Sequence, residues 1–374
     1  GKEIRSLGNT ALQSRAEFAD GYLFFGREGS LFAQRFDPQA LAVSGEPLRI
    51  AENLGFSAGD THDYAFSVSP AGTLAYSSGP FLPVTQLTWF SREGQRLGVV
   101  GQPGECGGFD VSPNEQETVL ELHDTRLNEI GLWLMEVASG VESKFSLNGG
   151  PGLWRAACPV WSHFDNRIYF STFPGLAAQS LNAHAEERLF DQACWLEDIS
   201  PDGNYALVSQ ATSEAGQHTC LLSLKEPKEI QPYSISGHDS EAAHFSPDGR
   251  WVAYSGDESG RDEVYVQSFP EPGRPVPISR NGGQSPEWRQ DGQELYFLTL
   301  DGILMAASVD GTQPLFRVTD LKPLFPANAG GGAPRRQFHP STDGQRFLVN
   351  TQVETATAPR LKIVLNWRSL LPKK

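Results

Sequence analysis

The chain has 374 residues, of which 20% are charged, with 38 glycines, 26 prolines, 22 phenylalanines, nine tyrosines and eight tryptophans but only two methionines. A sequence this rich in turn and aromatic residues reads as an all-β protein of many short strands, and excludes a helical bundle or a disordered tail. Its formal charge of −15, with no basic block, argues against a nucleic-acid partner, and no apolar run approaches the ~18 residues of a membrane span, so no membrane contact is expected of this chain.

Taken in chain order, residues 2–7 (KEIRSL) read as a lone strand. A turn close to Ser-Pro-Asp-Gly then recurs between two short strands. Its copies are RAEFADGYLFF (15–25), FSVSPAGTLAYS (66–77), FDVSPNEQETVLEL (109–122), PVWSHFDNRIYFS (159–171), DISPDGNYALVS (198–209), HFSPDGRWVAYS (244–255), PEWRQDGQELYFLT (286–299) and QFHPSTDGQRFLV (337–349). Proline fixes φ, the Asp side chain bonds nearby amides, and glycine takes the positive φ that closes the turn. Residues 244–279 supply a template of four antiparallel strands: AHFS (A), RWVAYSG (B), EVYVQSF (C) and PVPIS (D). Four strands per ~45 residues describe a β-propeller blade. A β-sandwich also has short, regularly spaced strands, but does not need the same turn in every repeat.

The expectation is therefore one all-β domain over 1–374, a propeller of eight four-stranded blades at about 14–54, 64–101, 108–148, 158–191, 194–233, 242–280, 285–326 and 335–367. The last repeat offers A (Arg335–His339), B (Gln345–Asn350) and C (Leu361–Asn366) but no D strand. Pairing of Lys2–Leu7 with Leu361–Asn366 would complete it and protect its edge; the alternative is that residues 2–7 belong to an earlier, truncated blade. A start at Gly1 reads as a mature domain or a fragment of something longer.

Chemistry-bearing motifs are few. Gly55–Gly59 (GFSAG) has the G-x-S-x-G form of a nucleophile elbow, but it lies in a loop between blades with no helix after it, so Ser57 reads as an ordinary serine. The run Ala329–Gly332 has no strand-to-helix setting in which to hold a phosphate. Kinase signatures, H-E-x-x-H and EF-hand loops are missing, and the four cysteines (Cys106, Cys158, Cys194, Cys220) include no C-x-x-C pair, leaving one disulfide or free thiols both open. No catalytic residue, metal site or cofactor is predicted.

Two columns emerge when the A strands are aligned. Val68, Val111, Trp161, Ile199, Phe245, Trp288 and Phe338 form an apolar column expected to pack between blades. The preceding position is Ser67, Asp110, Val160, Asp198, His244, Glu287 and Gln337, and should lie at the central channel because strand A is innermost. Asp110, Asp198, His244, Glu287 and Gln337 are the candidate ligand-binding residues, against the plainer reading of a hydrated polar channel. The loops entering strand A (His62, Asp63, Glu105, Arg155, Trp195, Glu197, His238, Asp239, Glu241, Arg335, Arg336) offer a second surface at the channel mouth, suited to a peptide, protein or small ligand.

Several stretches carry a resemblance: 27–52 (REGSLFAQRFDPQALAVSGEPLRIAE), 86–98 (QLTWFSREGQRLG), 245–273 (FSPDGRWVAYSGDESGRDEVYVQSFPEPG) and 343–367 with its ending LKIVLNW. They resemble TolB-type, WD-like propeller repeats, and more closely the C-terminal extracytoplasmic propeller of bacterial transmembrane serine/threonine protein kinases. The resemblance implies a non-catalytic sensor outside the cytoplasmic membrane, tethered through a parent protein whose kinase domain this chain does not carry. Alternatives are a periplasmic TolB-like scaffold and the gating propeller of a prolyl-oligopeptidase-type serine peptidase.

Overall fold

The computed structural model describes residues 16–27, 29–52, 54–55, 64–79, 83–124, 129–145, 156–172, 174–182, 185–211, 216–233, 238–312, 315–330, 335–353 and 360–371. Among them are 30 strands and a single 3-10 turn, Trp367–Leu370. All eight copies of the repeated turn join the two strands of an antiparallel hairpin. The turn is held as its composition requires. In the copy at Ser200–Gly203, the Ser200 hydroxyl donates to Asp202 Oδ1 at 2.7 Å and accepts the Tyr205 amide at 2.9 Å. Asp202 in turn accepts the Asn204 amide at 3.1 Å, and Gly203 has φ +69°. Ser246–Gly249 and Ser341–Gly344 repeat the pattern.

Two compact units emerge. One comprises residues 83–124 and 129–353, the other 1–82, 125–128 and 354–374. The larger unit contains six blades. Blade 1 uses the second half of Arg96–Val111, then Glu117–Asp124, Glu129–Glu136 and Glu142–Lys144. Blades 2 to 5 are four-stranded sheets that begin at Ala157–Trp161, Trp195–Ile199, Ser240–Phe245 and Gln284–Trp288. Blade 6 takes Phe338–Pro340 and Arg346–Gln352 from the late chain, and Val84–Ser91 and the first half of Arg96–Val111 from the early chain.

Six apolar clusters separate the six blades, one at each interface. The cluster between blades 6 and 1 joins Leu87, Val100 and Leu348 to Phe109, Val111 and Leu120. The six blades therefore close on themselves, and the single eight-bladed ring expected over 1–374 is replaced by six. The apolar column packs between blades as expected, with Val111, Trp161, Ile199, Phe245, Trp288 and Phe338 each in a different cluster.

The smaller unit holds the remaining two hairpins. Ala16–Ala19 to Ala42–Glu52 make one four-stranded sheet, and Phe66–Val68, Leu74–Ser78 and Arg360–Val364 a three-stranded one. The outer strands of the blades expected at 64–101 and 335–367 are thus exchanged. Val84–Ser91 pairs with Arg346–Gln352, and Arg360–Val364 pairs with Leu74–Ser78. Side-chain packing decides this. Trp367 is wholly buried with its ring 4.9 Å from Phe24, whereas Phe90 stacks on Phe325 at 5.4 Å and Arg346 lies over the Trp89 ring. The pairing expected for Lys2–Leu7 lies outside the described residues, as do Ser57, His62, Asp63 and Arg155.

Candidate functional site: a polar funnel

The site is built by the inner strands of the six blades. In blades 1 to 5 the register of strand A slips between one and three residues ahead of the column position, as between Cys106 and Gly108, Ala157 and Val160, and Glu241 and His244. Such bulges turn the strand and re-aim its next side chain. The side chains that line the funnel from this column are Asp110, Asp198, His244, Glu287 and His339, with Val160 on the opposite side of the floor.

Of the expected site residues, Asp110, Asp198, His244 and Glu287 come together, and Gln337 does not join them. Gln337 is buried and donates its amide to the Gly107 and Arg335 carbonyls. In the last repeat the turn is Ser341-Thr342-Asp343-Gly344, with the Gly344 amide bonded to the Ser341 carbonyl. The residue equivalent to Asp198 is therefore His339, two positions on. Aligning on Ser-x-Asp-Gly rather than on Pro340 gives this register from the sequence alone.

Arg336, expected on the rim, lies instead at the centre. Its Nε donates to Glu287 Oε1 at 2.6 Å, its Nη1 to Asp110 Oδ1, and its Nη2 lies 3.1 Å from His244 Nδ1. Arg335 likewise turns inward and donates to the buried Glu121 at 2.8 Å. Glu197 is also inside, 3.2 Å from the Thr219 hydroxyl. His238 and Asp239, by contrast, stay at a loop and bond Asp257.

The two column aspartates also hold neighbouring blades together. Asp110 accepts the Val111 amide through Oδ1 and the Trp161 amide of blade 2 through Oδ2, at 2.8 and 2.7 Å. Asp198 does the same with Ile199 and with Phe245 of blade 4, at 2.8 and 2.9 Å. Burial works to raise the Asp198 carboxyl, but His244, Arg336 and the Phe245 amide outweigh it and hold the group below the usual range. At Glu287 burial wins over Arg336 and His244, and the carboxyl is raised. His339 is pushed down to about 4, by burial first and then by the Arg336 charge.

The open space on the repeated-turn side of these residues is a funnel of about 320 Å³. Its rim carries the residue that follows the first turn position in each blade: Pro113, His163, Pro201, Pro247, Gln290 and Thr342. Trp161 and Trp288 form part of its wall. Behind it lies a space of only about 10 Å³, and Arg336 and His244 line both. A wider cleft of about 500 Å³ lies between the turns of blades 4 and 5, and its buried Glu294 is already paired with Arg92 and Arg289.

Among the described residues no three His, Cys, Asp or Glu side chains converge as a cation site. All four cysteines are free and buried, and burial raises the thiols of Cys158 and Cys194 to about 12. A thiol held protonated in this way is a poor nucleophile.

No protein-family profile matches this sequence, and no curated protein matches it. Solved structures do. A TolB protein from Agrobacterium tumefaciens superposes with a TM-score of 0.56 at 13% identity, over 73% of this chain and 99% of its own. TolB from Acinetobacter baumannii covers 92% of this chain and 81% of its own at 14% identity, with a TM-score of 0.43. The β-propeller domain of Cps50 (Swd1) from Myceliophteria thermophila matches 82% of this chain and 99% of its own at 14% identity and a TM-score of 0.42. The nearly all-β architecture, the closed six-blade ring and the likeness to the Agrobacterium protein together show that the chain has a β-propeller fold.

Proposed function

We propose that this chain is a non-catalytic binding module whose ligand enters the funnel, and that it serves as the extracytoplasmic sensor of a bacterial receptor serine/threonine protein kinase. The observation that supports binding is the funnel itself, where charged side chains of four blades converge under a proline-rich rim. Propeller folds host many functions, so the sensor role rests on the sequence resemblance and not on the fold. The same funnel would serve a free periplasmic scaffold of the TolB kind.

Purified chain should show no hydrolase or kinase turnover, and Ser57→Ala should leave that unchanged; measurable turnover lost in the variant would overturn the non-catalytic reading. Binding is tested by comparing candidate peptides on the wild type and on a His244→Gln/Glu287→Gln double variant. Equal affinity for both would remove the funnel as the site. Fusing a periplasm-dependent reporter to the C-terminus of the full-length gene product tests the location, and a reporter active only in the cytoplasm would exclude a sensor.

A further inference from the structure

A cavity of about 100 Å³ lies between blades 6 and 1, and two side chains of its lining, Thr85 and Asn350, hold buried polar atoms without a partner. The cavity opens where Arg96–Val111 passes from one blade to the other. Leu87 pairs with Val100 and Thr85 with Gly104, so that Gln86 alone faces residues 101–103 and these bulge away. Asn350 pairs with Leu87 on the neighbouring strand, and Thr85 lies two residues along, so all three side chains share one face of blade 6. Thr85 and Asn350 are buried, at 1% and 0% exposure. Asn350 Nδ2 donates to the Gly330 carbonyl at 3.0 Å, which fixes the orientation of the amide. Its Oδ1 and the Thr85 Oγ1 are the two atoms left over. A buried polar atom left unpaired is costly, and a ligand that supplies its partner recovers that cost.

We propose that this cavity is a second binding site, for a small neutral molecule that carries a primary carboxamide on a branched aliphatic body. The amide N–H donates to Asn350 Oδ1, and the amide carbonyl accepts from the Thr85 hydroxyl. The aliphatic body packs on Leu87, Val100, Leu120, Leu122 and Met135. The exposed residues of the lining, Gln102, Pro103 and Glu142, mark the mouth. Glu142 is the one charged side chain of the lining. An ammonium at the inner end would therefore be desolvated among neutral groups, and a carboxylate would meet Glu142 with no cation beside it. Water is the competing occupant. The volume is that of about three water molecules, each of which needs two to four polar partners, and the walls are mostly apolar. The site is separate from the funnel: Cys106 lines it at the start of the inner strand of blade 1, whereas Asp110 and Ser112 line the funnel at the other end.

The chain has two methionines, which makes the test direct. Met135 lines the cavity, whereas Met305 packs against the cluster between blades 4 and 5. Both are labelled at the methyl carbon, their NMR signals are assigned through Met305→Leu, and four compounds are titrated into the intact chain. These are isobutyramide, methyl isobutyrate, isobutylammonium and isobutyrate. Isobutyramide should shift the Met135 signal and leave that of Met305 in place. It should bind about fivefold or more tightly than the ester, which has no N–H, and than either ion. Thr85→Val keeps the branched shape without the hydroxyl and should weaken isobutyramide about threefold or more.

If no compound moves the Met135 signal, the cavity holds water alone and the inference is overturned. Equal shifts of Met135 and Met305 would mark a general solvent effect and overturn it as well. An ester that binds as tightly as the amide would remove the role of Asn350 Oδ1, and with it the carboxamide. Tightest binding of isobutylammonium would make Glu142 the recognising group and overturn the neutral class. Unchanged affinity in Thr85→Val would overturn the assigned pairing. The series on the wild type decides the question even if Thr85→Val does not fold.

Discussion

Glu197 stands immediately before Asp198 in blade 3, only 3% exposed, and the two neighbouring carboxyls behave oppositely. Burial, reinforced by the charge of Glu241, raises Glu197 to about 8, against the Thr219 hydroxyl and the amides of Ala242 and Ala243. The native state therefore holds a proton that the unfolded chain releases near 4.5, and the stability this confers declines as pH rises from about 4.5 to about 8. Glu197→Gln removes that dependence. Its urea stability relative to wild type should rise across this window, level off above about pH 8, and amount to no more than a few kcal/mol at ~1.4 kcal/mol per pK unit. A difference curve that is flat between pH 5 and 8 would show that Glu197 is ionised in the fold. Residue-scale features of this kind were only partly legible beforehand. Asp198 and His244 were found by their place before the turn. Glu197 gave no sign, because a glutamate in strand A reads as a rim residue until the bulge beside it turns it inward.

The element that recurs is the inner strand, and the aspartates in it hold neighbouring blades together. Asp198 bonds the Phe245 amide one blade away, so replacing it with Ala leaves a buried N–H without its acceptor and also removes the bond to the Ile199 amide. A cost of roughly 2–3 kcal/mol follows from an orphaned donor and a lost charge-assisted bond. It should appear as a lower urea midpoint at unchanged slope. Asp198→Asn keeps one carbonyl acceptor and should recover part of it. Stability equal to wild type in Asp198→Ala would mean that water satisfies both amides and that the blades do not rely on this bond. The hairpin around each inner strand was legible in full, since the Ser hydroxyl, the Asp carboxylate and the Gly φ act within about six residues. The register of the last hairpin was misread by two positions because Pro340 imitates the proline of the other copies. In the chain the serine, not the proline, anchors the turn.

At the scale of the whole molecule, the ring of six blades is closed by Val84–Ser91 joining Arg346–Gln352, with the Val353 amide bonded to the Val84 carbonyl. A fragment of residues 83–353 contains every strand of that ring and all six of its apolar clusters. It should fold alone, with β-type circular dichroism and one cooperative thermal transition. A fragment that begins at residue 96 lacks the strand that completes blade 6 and should lose that cooperativity. If 83–353 is unfolded while the full chain is not, the ring depends on the other unit. The sequence by itself determined the all-β class, the eight hairpins, the apolar column between blades and four of the polar residues at the funnel, because each is encoded by side chains a few positions apart. Only the tertiary structure decided which outer strand joins which hairpin, and hence that six blades close where eight were expected. QLTWFS (86–91) and LKIVLN (361–366) both present alternating apolar residues, and either satisfies the hydrogen bonds of an edge. The choice is made by distant partners, Phe24 for Trp367 and Phe325 for Phe90. The same holds for Arg336, which takes its place at the centre only when Asp110, His244 and Glu287 arrive there from three other blades.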